Sequence, residues 1–414
     1  MIVYKQQIII LIFLVNFTTT MILGLAPMDG VTDYSYRRIV QEIFNRYGEK
    51  EKHNLWKRTE FMSADGYMIN PSRLVKHLIT CEDESNLIAQ IYGGNIDTLL
   101  KTAQDIEQKY PFFQGIELNI GCPSPKILAC GAGAGMMRNK HKTLEYIRTL
   151  SEGLSLPFSI KTRAGLNNDD KDEQFKFILE AAKYCPTITI HGRTYSQAHN
   201  GEVDRDFIYR IKQELGDAIT IIGNGGINAY EDYQIHEGKV DGIMIGQSAM
   251  QNPRIFTPYT PTEQERIDLS LRHLLLMGAY EIYMNHTRAQ YPEESDQLML
   301  NRQNLHLNKK YDPDSDEIKE LPPIDFHDYI FPFPSYDQIE KLAHIIQNTI
   351  EQESNSLTWN YTIFHLNELR CGIEFRKYLF GYIKGLSYTK ELKQKIIATS
   401  KFSELYKHIT HYKN

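Results

Sequence analysis

Eight short apolar runs follow one another between Ile22 and Gly246, and an amphipathic stretch comes after each of them. Strand-like runs that alternate with helical segments indicate parallel strands joined by crossover helices. Their span is close to the roughly 250 residues of a (β/α)8 TIM barrel, so we predict an α/β barrel over residues 21–260. A doubly wound sheet stays open as the alternative, because periodicity does not show whether a sheet closes. The predicted strands are 22–27, 60–64, 87–92, 115–119, 158–162, 187–191, 219–223 and 242–246.

A smaller C-terminal, all-α helical domain is expected after the barrel. Residues 262–283 carry one helical pattern and residues 358–411 are helical by pattern and basic, so we assign 261–283 and 357–414 to this domain. The intervening residues 284–356 are rich in Pro, Asp and Asn. They are predicted to be an insertion of unknown role, with one helix at 338–352.

Residues 1–20 form an N-terminal extension that contains the apolar run 8–15. Eight residues are far fewer than the roughly 20 that span a bilayer, so no stable membrane association is expected. A signal peptide is one interpretation, although no A-x-A cleavage site follows the run. The others are an additional buried strand or helix, or a start codon assigned too early, with Met21 as the true first residue.

Charge is distributed unevenly along the chain. The net charge of −6 argues against a protein that coats nucleic acid indiscriminately. Residues 357–414, however, hold ten Lys and Arg against four Asp and Glu, whereas residues 1–356 hold 36 against 48. A basic tail on an acidic body predicts that the tail binds a polyanion.

The five cysteines are scattered, with no CxxC pair and no cluster at zinc-ligand spacing. This usage excludes a disulfide scaffold or a structural metal site as the basis of the fold, and it is typical of a reducing, cytoplasmic environment. Composition is that of an ordinary globular protein, at 42% hydrophobic and 24% charged residues, which excludes disorder throughout.

Polar residues gather at the predicted strand ends, which all open on one face of a parallel barrel. Glycine pairs after strands 7 and 8 are typical of phosphate sites, because glycine lets backbone N–H groups approach phosphate oxygens. A phosphorylated ligand is therefore expected, and the cations and amides on this rim suit a flavin. The residues concerned are Pro27, Met28, Asp29, Gln90, Asn119, Lys161, Arg163, His191, Arg193, Asn224, Gly225, Gly226, Gly246 and Gln247.

Cys122 lies in a Gly-Cys-Pro turn directly after the fourth predicted strand. A lone cysteine is usually a buried packing residue, but Gly before it and Pro after it indicate a loop. We therefore predict Cys122 as a catalytic acid.

The sequence resembles the tRNA-dihydrouridine synthase family in motifs that run in the same order along the barrel and into the tail. The most specific is LNIGCPSP at 118–125, which includes Cys122. The other matching segments include LAPMDGVTDYSYR at 25–37, SIKTRAG at 159–165, ITIHGRTYSQ at 188–197, IIGNGGI at 221–227, DGIMIGQSAMQNPRIF at 241–256 and FRKYLFGYIKG at 375–385.

This resemblance implies an FMN-dependent enzyme, supplied by NADPH, that reduces the C5=C6 bond of particular uridines in tRNA. It implies hydride transfer from the reduced flavin to C6 and protonation of C5 by Cys122. Asn119, Arg163 and Arg193 would contact the substrate at the barrel, and the other rim residues named above would hold FMN. Arg376 and Lys377 in the basic tail would contact tRNA phosphates. We expect a monomer that needs no metal.

The sequence departs from the family at a few cofactor positions. Gly246-Gln247 stands where the family has Gly-Arg, so one cation directed at the phosphate is missing. Asn224-Gly225-Gly226 replaces the usual Asn-Gly-Asp or Asn-Gly-Glu, and Asp29 adds a charge at the flavin mouth.

Two other functions remain open at this point. An FMN-dependent TIM-barrel reductase could act on a free small molecule such as a pyrimidine or an enone. A catalytically silent RNA-binding protein could retain the barrel, because a fold does not determine an activity.

Overall fold

Nine parallel strands form a single sheet in the computed structural model, which describes residues 20–81, 83–290, 336–351, 366, 371–386 and 389–412. The strands are β1 (Met21–Leu25), β2 (His53–Arg58), β3 (Met62–Ser63), β4 (Leu87–Tyr92), β5 (Gly115–Asn119), β6 (Phe158–Arg163), β7 (Thr187–His191), β8 (Thr220–Asn224) and β9 (Gly242–Ile245).

The sheet closes on itself and forms a barrel. β1 pairs with β2 on one side and with β9 on the other, and β2 pairs with β4 at Lys57 and Arg58. The two-residue strand β3 pairs with the later part of β4, so β2 and β3 share one place and the barrel has eight positions. The predicted (β/α)8 barrel is therefore confirmed, and the doubly wound alternative is wrong.

The second barrel position differs from the sequence prediction. The predicted strand at 60–64 forms only the short β3, and the main strand β2 lies several residues earlier. Its sequence HNLWKR does not look like a buried strand, yet Lys57 and Arg58 are both fully buried. Lys57 Nζ donates to Gln41 Oε1 and to the Ser85 carbonyl, and Arg58 pairs with Glu117 inside the barrel. Polar partners, which the sequence pattern does not show, make this burial possible.

Helices cover the outside of the barrel and continue into the C-terminal domain. Several begin at a side-chain cap: Asn95, for example, accepts from the backbone N–H of Asp97 at 2.8 Å. The helices are α1 (Tyr34–Tyr47), α2 (Ala64–Ile69), α3 (Pro71–Leu74), α4 (Ile96–Lys109), α5 (Pro125–Ala129), α6 (Lys140–Gly153), α7 (Lys171–Ala181), α8 (Arg205–Leu215), α9 (Gln247–Gln251), α10 (Glu263–Gln290), α11 (Tyr336–Glu351), α12 (Cys371–Tyr382), α13 (Thr389–Ala398) and α14 (Phe402–Thr410). Short 3-10 helices lie at Val75–Leu78, Gly133–Arg138, Gly216–Ala218 and Tyr230–His236.

The C-terminal helices form the predicted helical domain, which packs against α1 and the loop after β1. Arg272 of α10 pairs with Glu42 of α1 at 2.8 Å and also with Glu340 of α11. A Cβ atom on Gly381 of α12 would lie 2.2 Å from the Gln251 carbonyl oxygen, so this contact with α9 requires glycine. None of the helices in the described part of the chain is long and apolar enough to span a membrane.

Parts of the predicted domain division lie outside the described residues. These are residues 1–19 of the extension, most of the predicted insertion, of which only 284–290 and 336–351 are described, and residues 357–365, 367–370, 387–388 and 413–414 of the predicted helical domain. Residues 284–290 continue α10, and 336–351 form α11, close to the helix predicted at 338–352. Because α11 packs on α10, this part of the segment belongs to the helical domain's core.

The loop after β1 is held from both sides. Its Gly30 N–H donates to Glu60 Oε1 of the barrel at 2.6 Å. The Gly30 carbonyl accepts from Lys377 Nζ of α12, and the Tyr378 hydroxyl donates to the next carbonyl, that of Val31, at 2.7 Å. The barrel mouth and the helical domain are thereby joined through one loop.

His273 of α10 is fully buried where α10 and α12 meet the barrel. Its Nδ1 lies 3.3 Å from the Tyr382 hydroxyl, and the aromatic rings of Tyr36 and Tyr378 lie against it. Burial, and the nearby Lys377 to a smaller extent, lower the pKa of His273 to about 3. The folded protein therefore holds this imidazole neutral at any pH near 7.

We expect this histidine to make the fold sensitive to acid. Because its folded pKa lies below the unfolded value of about 6.5, its contribution to stability is complete above pH 6.5 and is lost as the pH falls. Between pH 7 and pH 5 the loss is about 2 kcal/mol. In urea unfolding at several pH values, the free energy of unfolding should fall less between pH 7 and pH 5 in His273→Gln than in the wild type, by this same amount. Equal pH dependence in the two proteins would contradict the assignment.

Candidate active site

A cavity of about 390 Å³ opens at the carboxyl ends of the barrel strands. This is the face on which the loops of parallel barrels assemble active sites. It is lined by Ala26, Pro27, Met28, Phe61, Asn119, Gly121, Cys122, Pro123, Lys161, Arg163, His191, Arg193, His199, Asn224, Gly225, Gly226, Ile227, Asn228, Met244, Ile245, Gly246, Gln247 and Ser248.

Strand register places the polar side chains of this cavity at similar heights. Asn119 of β5 pairs with Lys161 of β6, and His191 of β7 lies between Arg163 and Asn224. Paired residues of neighbouring parallel strands point to the same side of a sheet. Lys161 Nζ accordingly reaches across the barrel mouth and donates to Asn224 Oδ1 at 3.0 Å.

Asn119 fixes the turn that carries Cys122. Its side-chain oxygen accepts from the backbone N–H groups of Gly121 at 3.1 Å and Cys122 at 2.9 Å. Its Nδ2 donates to Gln90 Oε1 at 2.8 Å. Both ends of the amide are therefore used, and the thiol is presented at a fixed place on the cavity wall.

A buried charge pair lies beneath Asn119. Gln90 Nε2 donates to Glu117 Oε1 at 2.6 Å, and Arg58 Nη2 lies 3.3 Å from Glu117 Oε2. The side chains of Arg58 and Glu117 have no exposed area. A chain of contacts thus runs from Arg58 through Glu117 and Gln90 to Asn119, and we call these four residues the buried relay. The buried relay connects the barrel interior to the Cys122 turn.

Cations dominate one wall of the cavity. Burial, and secondarily Arg163, lower the pKa of Lys161 to about 8, and burial lowers the pKa of Arg163 to about 10. His191 lies among them, where burial and then Lys161 lower its pKa to about 2, so its ring is neutral. Groups whose positive charge is disfavoured in this way gain from a bound anion.

The adjoining wall, after β8 and β9, is built largely from glycine. Gly225 and Gly226 have φ values of +105° and +75°, which favour glycine, and a Cβ atom on Gly225 would lie 2.8 Å from His191 Cδ2. No Asp or Glu occurs among the described residues that line the cavity. Backbone N–H groups, cations and the absence of carboxylates fit an anionic ligand with a phosphate.

Burial raises the pKa of the Cys122 thiol, although the Ser124 backbone, Arg163 and Lys161 act in the opposite direction. The side chain is half-buried and unpaired with any other cysteine. A thiol in this state is protonated near pH 7 and can donate its proton to a group in the cavity.

Thirteen of the seventeen residues predicted for the site line this cavity. Gln90 is instead buried below it in the relay, and Asp29 is exposed beside it. Arg376 and Lys377 lie on α12 and bind backbone carbonyls, those of Thr399 and Gly30 respectively. Those four residues are therefore not on the cavity wall, and their predicted contacts with cofactor or tRNA stay predictions.

Arg163 has a second role in the structure. Its Nε donates to the Gly121 carbonyl at 2.6 Å and its Nη1 to the Ala198 carbonyl at 2.9 Å. The guanidinium therefore ties the Cys122 turn to the loop after β7. Ala198 has a φ of +50°, an uncommon conformation for alanine, and the next residue, His199, lies on the cavity wall.

Sequence reasoning missed His199 and Phe61. His199 lies well beyond the end of β7, and no spacing or motif indicates that its loop folds back over the mouth. Phe61 lies in the break between β2 and β3, where its ring contacts Tyr92 edge-on at 5.8 Å. The predicted strand at 60–64 runs through Phe61 without a break. Knowing where the strand breaks would have been needed to predict that Phe61 lines the cavity.

Comparison with known proteins now identifies the family. The family model for dihydrouridine synthase (Dus) matches residues 24–310, which is more than half of the chain. The chain belongs to the dihydrouridine synthase family. The match begins within β1 and includes every loop of the cavity, so the predicted family is confirmed.

Individual dihydrouridine synthases are similar over most of their length. A probable tRNA-dihydrouridine synthase of Rickettsia conorii is 28% identical over 249 residues, which cover 58% of this chain and 71% of that protein. tRNA-dihydrouridine synthase B of Pasteurella multocida is 30% identical, covering 56% and 67%. A probable tRNA-dihydrouridine synthase of Aquifex aeolicus is 28% identical, covering 72% and 92%. A solved mandelate oxidase aligns with a TM-score of 0.36 at 12% identity, over 56% of this chain and 67% of its own, which is too weak a likeness to bear on function.

Dihydrouridine synthases are flavin-dependent enzymes, and the cavity of this member fits that group. The glycine wall offers room and N–H groups for a phosphate, and the Lys161 side is cationic and polar, as a flavin pyrimidine edge requires. Among the described residues there is no group of three or more His, Cys, Asp or Glu that could hold a metal ion.

Proposed function

We propose that this dihydrouridine synthase reduces particular uridines of tRNA to 5,6-dihydrouridine, with FMN bound in the barrel cavity and NADPH as the reductant. The observation that carries the proposal is that a protonated thiol, Cys122, faces the same cavity as a glycine and cation site for an anionic cofactor. We propose that the protein acts as a monomer in the cytoplasm, where tRNA and NADPH are available; the cytoplasmic location accords with the cysteine usage.

The cofactor, when bound, supplies hydride to C6 of the uracil ring. This chain's residues then have three tasks: to hold the cofactor, to orient the base and to protonate C5. Gly225, Gly226 and Gly246 would receive the phosphate, and Lys161 and His191 would contact the ring system. Asn119, which already orients the Cys122 turn, lines the same cavity and would face the base.

Cys122 completes the reduction as the general acid. Hydride addition at C6 leaves negative charge on C5 and the adjacent carbonyl, and the thiol S–H bond breaks as the new C5–H bond forms. The resulting thiolate lies near Arg163 and Lys161, whose positive charges stabilise it. Solvent then returns a proton to the sulfur, because the cavity is open at the barrel mouth.

A uridine must leave the folded RNA to reach this cavity, and the helical domain would hold the RNA meanwhile. Lys384 at the end of α12 and Lys390 on α13 are exposed, and neither forms an ion pair within the described part of the chain. Both are therefore free to contact phosphates of the RNA. Arg376 and Lys377, which bind backbone carbonyls, would need to share those bonds with RNA.

We expect tRNA binding to weaken steeply with salt, because phosphate contacts release counterions. In a plot of log affinity against log salt concentration, Lys384→Gln and Lys390→Gln should each reduce the slope by about 1. Lys101→Gln, an exposed lysine on barrel helix α4, is the matched control and should leave the slope unchanged. Filter binding at several salt concentrations measures these slopes. A slope unaltered by both tail variants would contradict the proposed contact surface.

The activity itself is tested with tRNA from cells that lack dihydrouridine. Purified protein, FMN and NADPH are incubated with this tRNA, and mass spectrometry records nucleosides heavier by two hydrogens. Free uridine and a simple enone serve as parallel substrates. Reduction of tRNA alone supports the proposal, and turnover of the small molecules alone supports a barrel reductase of the alternative class. A flavin-free protein that binds tRNA without turnover would indicate a silent RNA-binding protein.

A further inference from the structure

The glycine wall of the cavity has no cation of its own. The lining Lys and Arg residues in the described part of the chain are Lys161 and Arg163, which lie in β6, and Arg193, which follows β7. Lys161 Nζ is held by Asn224, and Arg163 is held by three backbone carbonyls. At the start of α9, where the family has arginine, the chain has Gln247.

Arg205 lies directly behind this wall. It is the first residue of α8, whose start is fixed by Asp204, the side chain of which accepts from the Phe207 N–H at 2.9 Å. A Cβ atom on Gly226 would lie 3.3 Å from Arg205 Nη2. The guanidinium therefore packs against the backbone of the same glycine turn that would receive a phosphate.

The Arg205 side chain has no partner within the described residues. Its Nε is buried without a hydrogen bond, and no carboxylate lies within ion-pair distance of the guanidinium. The neighbouring Asp204 is instead paired with Lys171 at 2.7 Å. An arginine that is left unpaired next to an anion site is unusual, because a buried donor without an acceptor costs free energy.

We propose that Arg205 is a phosphate-binding residue of the FMN site, which takes over the charge that Gln247 cannot supply. This inference rests on the proposed function, because it requires FMN in the cavity. The planar guanidinium matches a phosphate group, and because residue 226 is glycine, no side chain separates Nη2 from the turn that would receive the phosphate. The loop before α8 thereby becomes part of the cofactor site.

Flavin binding to the full-length protein, stripped of flavin, tests this assignment without any turnover. FMN and riboflavin are titrated separately, and flavin fluorescence gives both dissociation constants. Arg205→Gln should weaken FMN binding about tenfold and leave riboflavin binding unchanged, because riboflavin has no phosphate. Arg205→Lys should retain most of the FMN affinity. Arg210→Gln, which removes an exposed cation from the same helix, is the control and should bind both flavins as the wild type does.

Adding Gln247→Arg to Arg205→Gln should restore FMN affinity, which a purely structural role of Arg205 would not explain. Equal weakening for FMN and riboflavin, or wild-type FMN affinity in Arg205→Gln, overturns the inference while the proposed function stands. Failure of the wild-type protein to bind FMN overturns both. Thermal unfolding of each variant shows whether a loss of binding reflects a loss of the fold.

Discussion

Replacing Cys122 with alanine is expected to lower dihydrouridine formation by a factor of about 10² to 10⁴ while FMN binding is retained, because a positioned general acid contributes about that much to a rate. The thiol lies on the cavity wall in a protonated state, and the hydrogen bond found for it in the described part of the chain is with the Ser124 backbone of its own turn. Its removal should therefore affect proton transfer and leave the rest of the site intact.

Single-turnover reduction of tRNA, followed by mass spectrometry, measures this loss, and flavin absorbance measures the retained cofactor. Cys130→Ala is the matched control, since Cys130 is exposed on the same loop and does not line the cavity. Turnover at the wild-type rate in Cys122→Ala would remove this residue from the role of acid. Loss of FMN together with activity would instead indicate that Cys122 supports the cofactor site.

Replacing Glu117 with leucine is expected to lower the free energy of unfolding by about 3–5 kcal/mol, because it leaves a buried arginine without its counter-charge. Arg58 and Glu117 are both fully buried, and Arg58 Nε and Nη1 already lack hydrogen-bond partners in the structure. Gln90 Nε2 would also lose its acceptor. The single substitution therefore leaves two buried groups, the Arg58 guanidinium and Gln90 Nε2, without their partner.

The double variant Arg58→Met with Glu117→Leu removes both charges and leaves apolar side chains in their place, so it tests the charges separately from the packing. It should recover most of the lost stability, since an apolar pair often replaces a buried ion pair at little cost. Urea unfolding of the single and double variants measures the difference, and Glu117→Gln provides a milder variant if the leucine variant does not fold. Stability near wild type in both Glu117 variants would show that the pair contributes little.

Much of the barrel follows from the sequence because most of its strands are apolar and end at glycine or asparagine. β4, β5 and β7 are found at their predicted residues, and β1, β6, β8 and β9 within one or two residues at each end. β2 could not be predicted in this way. Buried Lys57 donates to Gln41 and Ser85, and buried Arg58 pairs with Glu117, and hydrophobic periodicity contains no information about such partners.

The site was predictable to the extent that it is built from strand ends. Arg163, His191 and Asn224 are found together because the parallel register places them at one level, and Lys161, two residues before Arg163 on the same strand, points to the same side of the sheet. The position of Gln90 was not predictable, because an inward-facing amide could reach the cavity or the layer beneath it, and only the buried Glu117 decides between them. His199 belongs to a loop whose path depends on Arg163, which no local pattern encodes.

The double attachment of the loop after β1 has a consequence for how a nucleic acid is read. With Gly30 bonded to Glu60 on one side and to Lys377 on the other, the cavity mouth and the helical domain that we propose to hold the RNA are joined through one loop. A constant separation between the cavity and the proposed phosphate contacts would make the enzyme select a uridine by its distance from those phosphates. The choice of uridine would then depend on where it stands in the folded tRNA, and its neighbours in the nucleotide sequence would matter little.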